Sequence, residues 1–299
     1  MGIPRKTIHD VIEQCGRLAR EAHRLRPDLH HLAAFDADGT LWGPDVAELL
    51  WERLLSSRAL TPAGAAPMAR ALRQCGEEPT RDPFRDYPAL DALFRAGRCS
   101  EETMARVMLQ GLAGLREEDL YAHARAAIGQ ASDLQEARIA GTRRLLDEMR
   151  KLGYRVIVVS SSPRWVVEVA VEPLGVARKD ILAGQVAVVD GVLSDGILEP
   201  LPHGKGKIQA ILRRFGSVPR VALGNALSDL AMLEATSHLR VLVNPTEELL
   251  SASEGIHGTT WSMGPVGAAA SEAGKRAAVA GTGAHTTGPH PPRRPRATT

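Results

Sequence analysis

The chain has 299 residues, 44% of them hydrophobic and 24% charged, enough for one large or two smaller globular domains. Its net charge of +2 is uneven: residues 271–299 hold Lys275, Arg276, Arg293, Arg294 and Arg296 against Glu272 alone, which leaves −2 for the rest and excludes the clustered basic surface of a nucleic-acid-binding fold. No run approaches the ~18 apolar residues of a membrane span, charges at Arg5, Lys6, Asp10 and Glu13 break the N-terminus where a secretory signal would be apolar, and Cys15, Cys75 and Cys99 lack zinc or disulfide spacing, so a reduced, cytoplasmic protein is expected.

Residues 7–24 place Ile8, Val11, Ile12, Cys15 and Leu18 at helical spacing, which predicts a helix packed on the core within a first segment, 1–30. A short apolar strand follows and ends in Asp36-Ala37-Asp38-Gly39-Thr40. Strand alternation would send two successive side chains to opposite faces, so both acids meet one substrate only if the chain turns there, and Gly39 supplies the turn. Two repelling carboxylates call for a divalent cation, although Asp-x-Asp-Gly is also an ordinary loop sequence. Helical patterns recur at 45–57, 61–74, 100–113 and 117–128 with no strand signal between them, which predicts a helical insertion over 44–131.

A helix is predicted from about 134 to Lys151, where a basic residue and Gly153 form the stop. Tyr154–Val159 is apolar and β-branched apart from Arg155, as a strand covered on both faces requires. It leads to Ser160-Ser161-Ser162-Pro163 and a helix from Arg164 to Leu174. Further strands are predicted at 185–189, 192–193, 221–223 and 241–243, with helices at 206–214 and 228–235. Alternating strands and helices predict a doubly wound, Rossmann-like parallel sheet with helices on both sides, built from 31–43 and 132–258. Ligands in such sheets bind beyond the carboxyl ends of the strands, where Asp36, Asp38, Ser160 and Gly224-Asn225 fall. Residues 262–299 lose all periodicity and read as a disordered tail.

Taken in order, Asp36-Ala37-Asp38-Gly39-Thr40, the strand ending in Ser160, a Lys opening a helix, and Gly224-Asn225-Ala226-Leu227-Ser228-Asp229 resemble the haloacid dehalogenase superfamily. The likeness is to its phosphoserine-phosphatase-like branch with a helical cap, and it covers roughly residues 30–250. The resemblance implies a phosphatase acting on a small phosphate monoester: Asp36 as carboxylate nucleophile, Asp38 as acid and base, Ser160 and a lysine on the phosphoryl oxygens. It also implies Mg²⁺ held by Asp36, the backbone carbonyl of Asp38, Asn225 and Asp229, and substrate contacts from Thr40, Asp45 and Ser161. Lys207, directly before an apolar helical stretch, fits the family pattern better than Lys205. Asn225 stands where the family has a metal-binding Asp, which brings no charge and is expected to weaken the metal.

Asp45 reads equally as an anion for the cationic group of phosphoserine, phosphoethanolamine or phosphocholine and as the N-cap of the next helix. Trp42 offers an aromatic face for a quaternary ammonium, Arg81, Arg85, Arg95 and Arg98 are candidates for a substrate carboxylate, and Ser161 and Ser162 are candidate caps of the helix after them. A phosphotransferase using the same intermediate and a catalytically silent phospho-ligand binder stay open beside the phosphatase. No membrane or nucleic-acid partner is expected, and the oligomeric state is not legible.

Overall fold

The computed structural model describes residues 3–25, 31–131 and 140–263. Its centre is a six-stranded, wholly parallel sheet in the order β3-β2-β1-β6-β7-β8, formed by β1 (His31–Asp36), β2 (Tyr154–Pro163), β3 (Ile181–Gly184), β6 (Val221–Gly224), β7 (Leu239–Val243) and β8 (Thr259–Met263). A separate antiparallel hairpin joins β4 (Val186–Val189) to β5 (Val192–Ile197).

Alternation along the central strands builds two cores. Ala33 and Phe35 of β1, Val156 and Val158 of β2, and Val221 and Leu223 of β6 pack on one face, with α1 (Ile8–Leu25), α7 (Ala140–Lys151) and α8 (Arg164–Val171). Leu32 and Ala34, Ile157 and Val159, and Ala222 face the other way, against α9 (Lys205–Phe215), α10 (Leu230–Ala235) and α11 (Glu247–Ser253). A period of two with both faces covered explains why these strands are apolar at nearly every position.

Between β1 and α7 the chain forms α2 (Val46–Ser56), α3 (Pro62–Gln74), α4 (Pro83–Arg95), α5 (Glu101–Gln110) and α6 (Glu117–Gln130). Among these α2 packs on α6 and α3 on α4; α5 lies against β2 and β5, and α6 against α8. The described residues all fall within one compact unit, 1–267.

The structure departs from the sequence expectation in several places. The strands predicted at 185–189 and 192–193 form the hairpin instead of joining the parallel sheet, because the Asp190-Gly191 turn between them, both residues at positive φ, returns the chain on itself. The edge strand β3, the helices α4 and α11 and the strand β8 arise where no element is predicted. In α4 the prolines at 83 and 88 mask the helical pattern, although Pro83 is in the first turn and Asp82 caps it by accepting from the Phe84 N–H. Ser262 and Met263 complete β8, paired with Leu242 and Val243, so an irregular tail cannot start at 262. Residues 264–299, and 134–139 of the helix predicted from 134, lie outside the described residues.

The α3–α5 approach depends on missing side chains: a Cβ at Gly64 would sit 2.2 Å from the backbone oxygen of Gly111, the residue that ends α5. We expect Gly64→Ala to lower unfolding stability by ~1–3 kcal/mol, the usual cost of overpacking. An unaltered thermal midpoint would show that the two helices do not meet at these residues.

Candidate active site

β1 lies at the middle of the sheet and delivers Asp36 at its carboxyl end, in register with Val159 of β2, so that Ser160 is one residue beyond on the neighbouring strand. The turn after β1 is held by Leu41 N–H donating to Ala37 O at 2.7 Å and Gly39 N–H donating to Trp42 O at 2.7 Å. Gly39 is at φ +77, and a Cβ there would fall 2.0 Å from Asn225 Nδ2. Glycine therefore meets two demands, the left-handed backbone and the close approach of the Asn225 carboxamide.

Asp36, Ser160, Lys207 and Asp229 are 5%, 2%, 2% and 1% exposed, a degree of burial that charged groups tolerate only with partners. Lys207 supplies them: its Nζ donates to Asp36 Oδ1 at 2.6 Å and to Asp229 Oδ1. The second oxygen of Asp229 accepts from the backbone N–H groups of Asn225 (2.9 Å) and Ala226 (3.1 Å), which fixes the loop after β6. Lys205, at the start of α9, is exposed; Lys207, two residues on, is the lysine that enters the site.

Two carboxylates share one ammonium, and the imbalance has a consequence. Burial first, and the Asp229 charge second, push the Asp36 carboxyl up to about 7, with Lys207 pulling it back. Burial also works against the Lys207 ammonium, but Asp229 and Asp36 more than restore it, so Lys207 stays charged.

Asp38, two residues after Asp36, turns the other way. Its Oδ1 accepts from Trp42 Nε1 (2.7 Å) and the Val46 N–H (3.0 Å), and its Oδ2 from Ser162 Oγ (2.7 Å). The loop after β1, the start of α2 and the end of β2 are thus tied to one carboxylate. Trp42 is fully buried with its indole N–H committed to Asp38, so it offers no face to a substrate ammonium. Ser162 is a site residue that sequence reasoning treated only as a cap. The helix after it is preceded by Pro163 with no side-chain cap, and Ser160 Oγ accepts from the Ser162 N–H at 3.1 Å, so neither Ser161 nor Ser162 caps α8. A serine run before a helix carries no local mark that separates the two uses.

Asp45 caps α2, accepting from the N–H groups of Ala47 and Glu48, and also lines a cavity beside Asp38 together with Ser161 and Ser162. Desolvation by the surrounding protein first, and the Asp38 charge second, raise its carboxyl pKa, with the backbone N–H groups of Glu48 and Ala47 pulling it back. Thr40 is buried within the turn, its N–H donating to Ala37 O. Of the candidate arginines, Arg95 pairs with Asp91 and Glu48, Arg98 with Glu77 and Arg85 with Asp82; these three and Arg81 are absent from the cavity wall. Trp165 packs in the core with its Nε1 on Glu117.

The fit to a divalent cation is specific in its donors. Among the described residues no three His, Cys, Asp or Glu side chains gather as a metal-holding group: Lys207 stands between Asp36 and Asp229, and the Asp38 carboxylate is turned to its three donors. What fits is the buried Asp36 Oδ2, which makes no hydrogen bond, the excess negative charge around it, and the Asn225 carboxamide against the loop that follows Asp36. Neutral oxygens would complete such a set.

The chain matches, over residues 33–234, the family model described as haloacid dehalogenase-like hydrolase. A curated phosphoserine phosphatase of Streptomyces coelicolor (strain ATCC BAA-471 / A3(2) / M145) is 31% identical over 157 residues, 48% of this chain; the chain spans 38% of that protein's length. Two solved structures share the fold. A protein of unknown function from Bordetella pertussis Tohama I aligns with TM-score 0.58 at 18% identity, over 78% of this chain and 98% of that one. A functionally unknown protein from Anaerococcus prevotii DSM 20548 aligns with TM-score 0.61 at 13% identity, over 87% and 92%.

The raised Asp36 carboxyl makes a stability prediction. A group whose folded pKa lies above its unfolded value of 3.8 binds more protons when folded, so native stability falls as pH rises between the two values and stays reduced above about 7. In chelator, Asp36→Asn is expected to raise the thermal midpoint over wild type by roughly 3–8 °C at pH 8, with the gain shrinking toward pH 4. A gain independent of pH would contradict the assigned charge imbalance.

Proposed function

The chain belongs to the haloacid dehalogenase-like hydrolase family, and on that footing we propose that it is a Mg²⁺-dependent phosphatase hydrolysing a small organic phosphate monoester through an aspartyl-phosphate. The observation that carries the proposal is the Asp36 carboxylate itself: one oxygen is held at 2.6 Å by Lys207, and the other is buried without a partner at the carboxyl end of the central strand.

Asp36 attacks phosphorus through a carboxylate oxygen; the P–O bond to the alcohol breaks, and Asp38 gives its proton to the departing oxygen. Lys207 and the Ser160 hydroxyl bind the non-bridging oxygens and stabilise the charge that accumulates on them. In the second half a water attacks phosphorus, Asp38 takes its proton, and the P–O bond to Asp36 breaks, returning both acids to their starting forms. Ser162 and Trp42 hold Asp38 in place for both transfers. Mg²⁺, on Asp36, the backbone carbonyl of Asp38 and Asn225, with Asp229 behind Lys207, would neutralise the repulsion between nucleophile and phosphate dianion. In this reading helices α2–α6 form the cap assigned to 44–131, and Asp45 and Ser161, which line the cavity, contact the substrate, while Thr40 is buried in the turn beside them.

A catalytically silent binder is favoured by the neutral Asn225 where the family has a metal-binding Asp, and by the aperiodic sequence of the tail. Hydrolysis of p-nitrophenyl phosphate distinguishes the two. Wild type is expected to turn over with Mg²⁺ and stop in chelator, and Asp36→Asn to lose at least ~10³-fold, as for removal of a covalent nucleophile; turnover surviving that change would rule out the covalent route. Asn225→Asp is expected to lower the Mg²⁺ concentration for half-maximal rate, since hard cations favour anionic oxygen. An unchanged magnesium dependence would remove residue 225 from the metal set.

A further inference from the structure

The reading above leaves the alcohol half of the ester open, and the cavity beside Asp38 bears on it; the inference rests on that reading. The cavity lies among α2, α4, α5 and the end of β2. Ser162, whose hydroxyl is 2.7 Å from Asp38 Oδ2, is part of its wall, so the cavity meets the acid that would protonate the leaving oxygen. A group in this space belongs to the alcohol and not to the phosphate, whose partners Lys207 and Ser160 are absent from the wall.

Four carboxylates line it, Asp45, Glu48, Asp91 and Glu101, and among the described residues no Lys, Arg or His does. Countercharge comes only from outside the wall. Arg95 reaches Asp91 at 2.8 Å and Glu48 at 3.4 Å but is 62% exposed, and a single guanidinium leaves the four acids in excess. Glu101 has His203 at 4.0 Å and accepts from Ser228 Oγ at 3.2 Å. Asp45 is held by the N–H groups of Ala47 and Glu48, which fix its position without supplying a cation. The remaining wall is soft and apolar. Tyr87 stacks on Trp51 with centroids 4.0 Å apart and so presents a rigid ring, and Phe94, Met104 and Met108 complete the surface. Acids plus aromatic and thioether groups favour an alkylated or primary ammonium, and the same acids repel a carboxylate that finds no basic partner here.

We propose that this cavity selects phosphate esters of alcohols that carry an organic ammonium group and no carboxylate. The test compares kcat/KM for choline phosphate, ethanolamine phosphate, serine phosphate and glycerol phosphate, beside calorimetric binding of free choline to Asp36→Asn. The ammonium esters are expected to exceed both glycerol phosphate and serine phosphate at least ~10-fold. Asp45→Asn, which keeps a capping side chain, and Asp91→Asn are each expected to lower the choline-to-glycerol ratio of kcat/KM about 5- to 10-fold. Choline is expected to bind Asp36→Asn where glycerol does not. Hydrolysis of p-nitrophenyl phosphate without any ammonium preference, or a preference for serine phosphate, overturns the inference and leaves the phosphatase reading intact. Choline binding by a protein that hydrolyses no ester overturns the phosphatase reading and keeps the cavity's selectivity; no choline binding overturns the inference.

Discussion

One buried ammonium shared by two carboxylates is the constraint on which the site depends. Taking Asp36, Asp229 and Lys207 out of water costs several kcal/mol per ion, and their mutual contact, with the Asn225 and Ala226 N–H groups on Asp229, offsets it. Because Asp36 ends β1, Lys207 stands in the first turn of α9 and Asp229 follows β6, that contact fixes three separate pieces of chain at one edge of the sheet. It is also unbalanced by one negative charge, which leaves Asp36 Oδ2 without a partner and the pocket receptive to a further cation.

The second carboxylate of the pair shows how neighbouring residues acquire different surroundings. Asp36 lies in register on the sheet and faces Lys207, whereas Asp38 lies past the Gly39 turn and faces Trp42, Val46 and Ser162. The first is held by ionic contact in a buried site, the second by neutral donors at the edge of a cavity. Such separated environments give two chemically identical acids different electrostatic surroundings.

Much of this was legible along the chain. The runs at 31–36, 154–159, 221–223 and 241–243 are apolar on both faces because each strand is covered twice, so periodicity and β-branching mark them directly. The edges were less legible. β3 is four residues long and β8 is partly exposed, and neither has the continuous apolar run of a central strand. The β4–β5 pair has strand composition but no place in the sheet, since composition reports extended backbone and not the partner it pairs with. Prolines hid α4: Pro83 stands in the first turn, where it costs little, but Pro88 lies inside the helix and reads as a breaker.

What the sequence determined by itself was the set of chemical groups and the strand ends that carry them: Asp36, Asp38, Ser160, Asn225 and Asp229 each stand in a local pattern of strand, turn and helix. Only the tertiary structure decided that Lys207 and not Lys205 reaches Asp36, that Trp42 is spent on Asp38, that Ser162 is a site residue and that acids and aromatic rings from α2, α4 and α5 line one cavity. The reason is distance along the chain. Asp36 and Lys207 are 171 positions apart and Asp38 and Ser162 are 124 apart, so their contacts follow from sheet order and helix packing, which local periodicity does not encode.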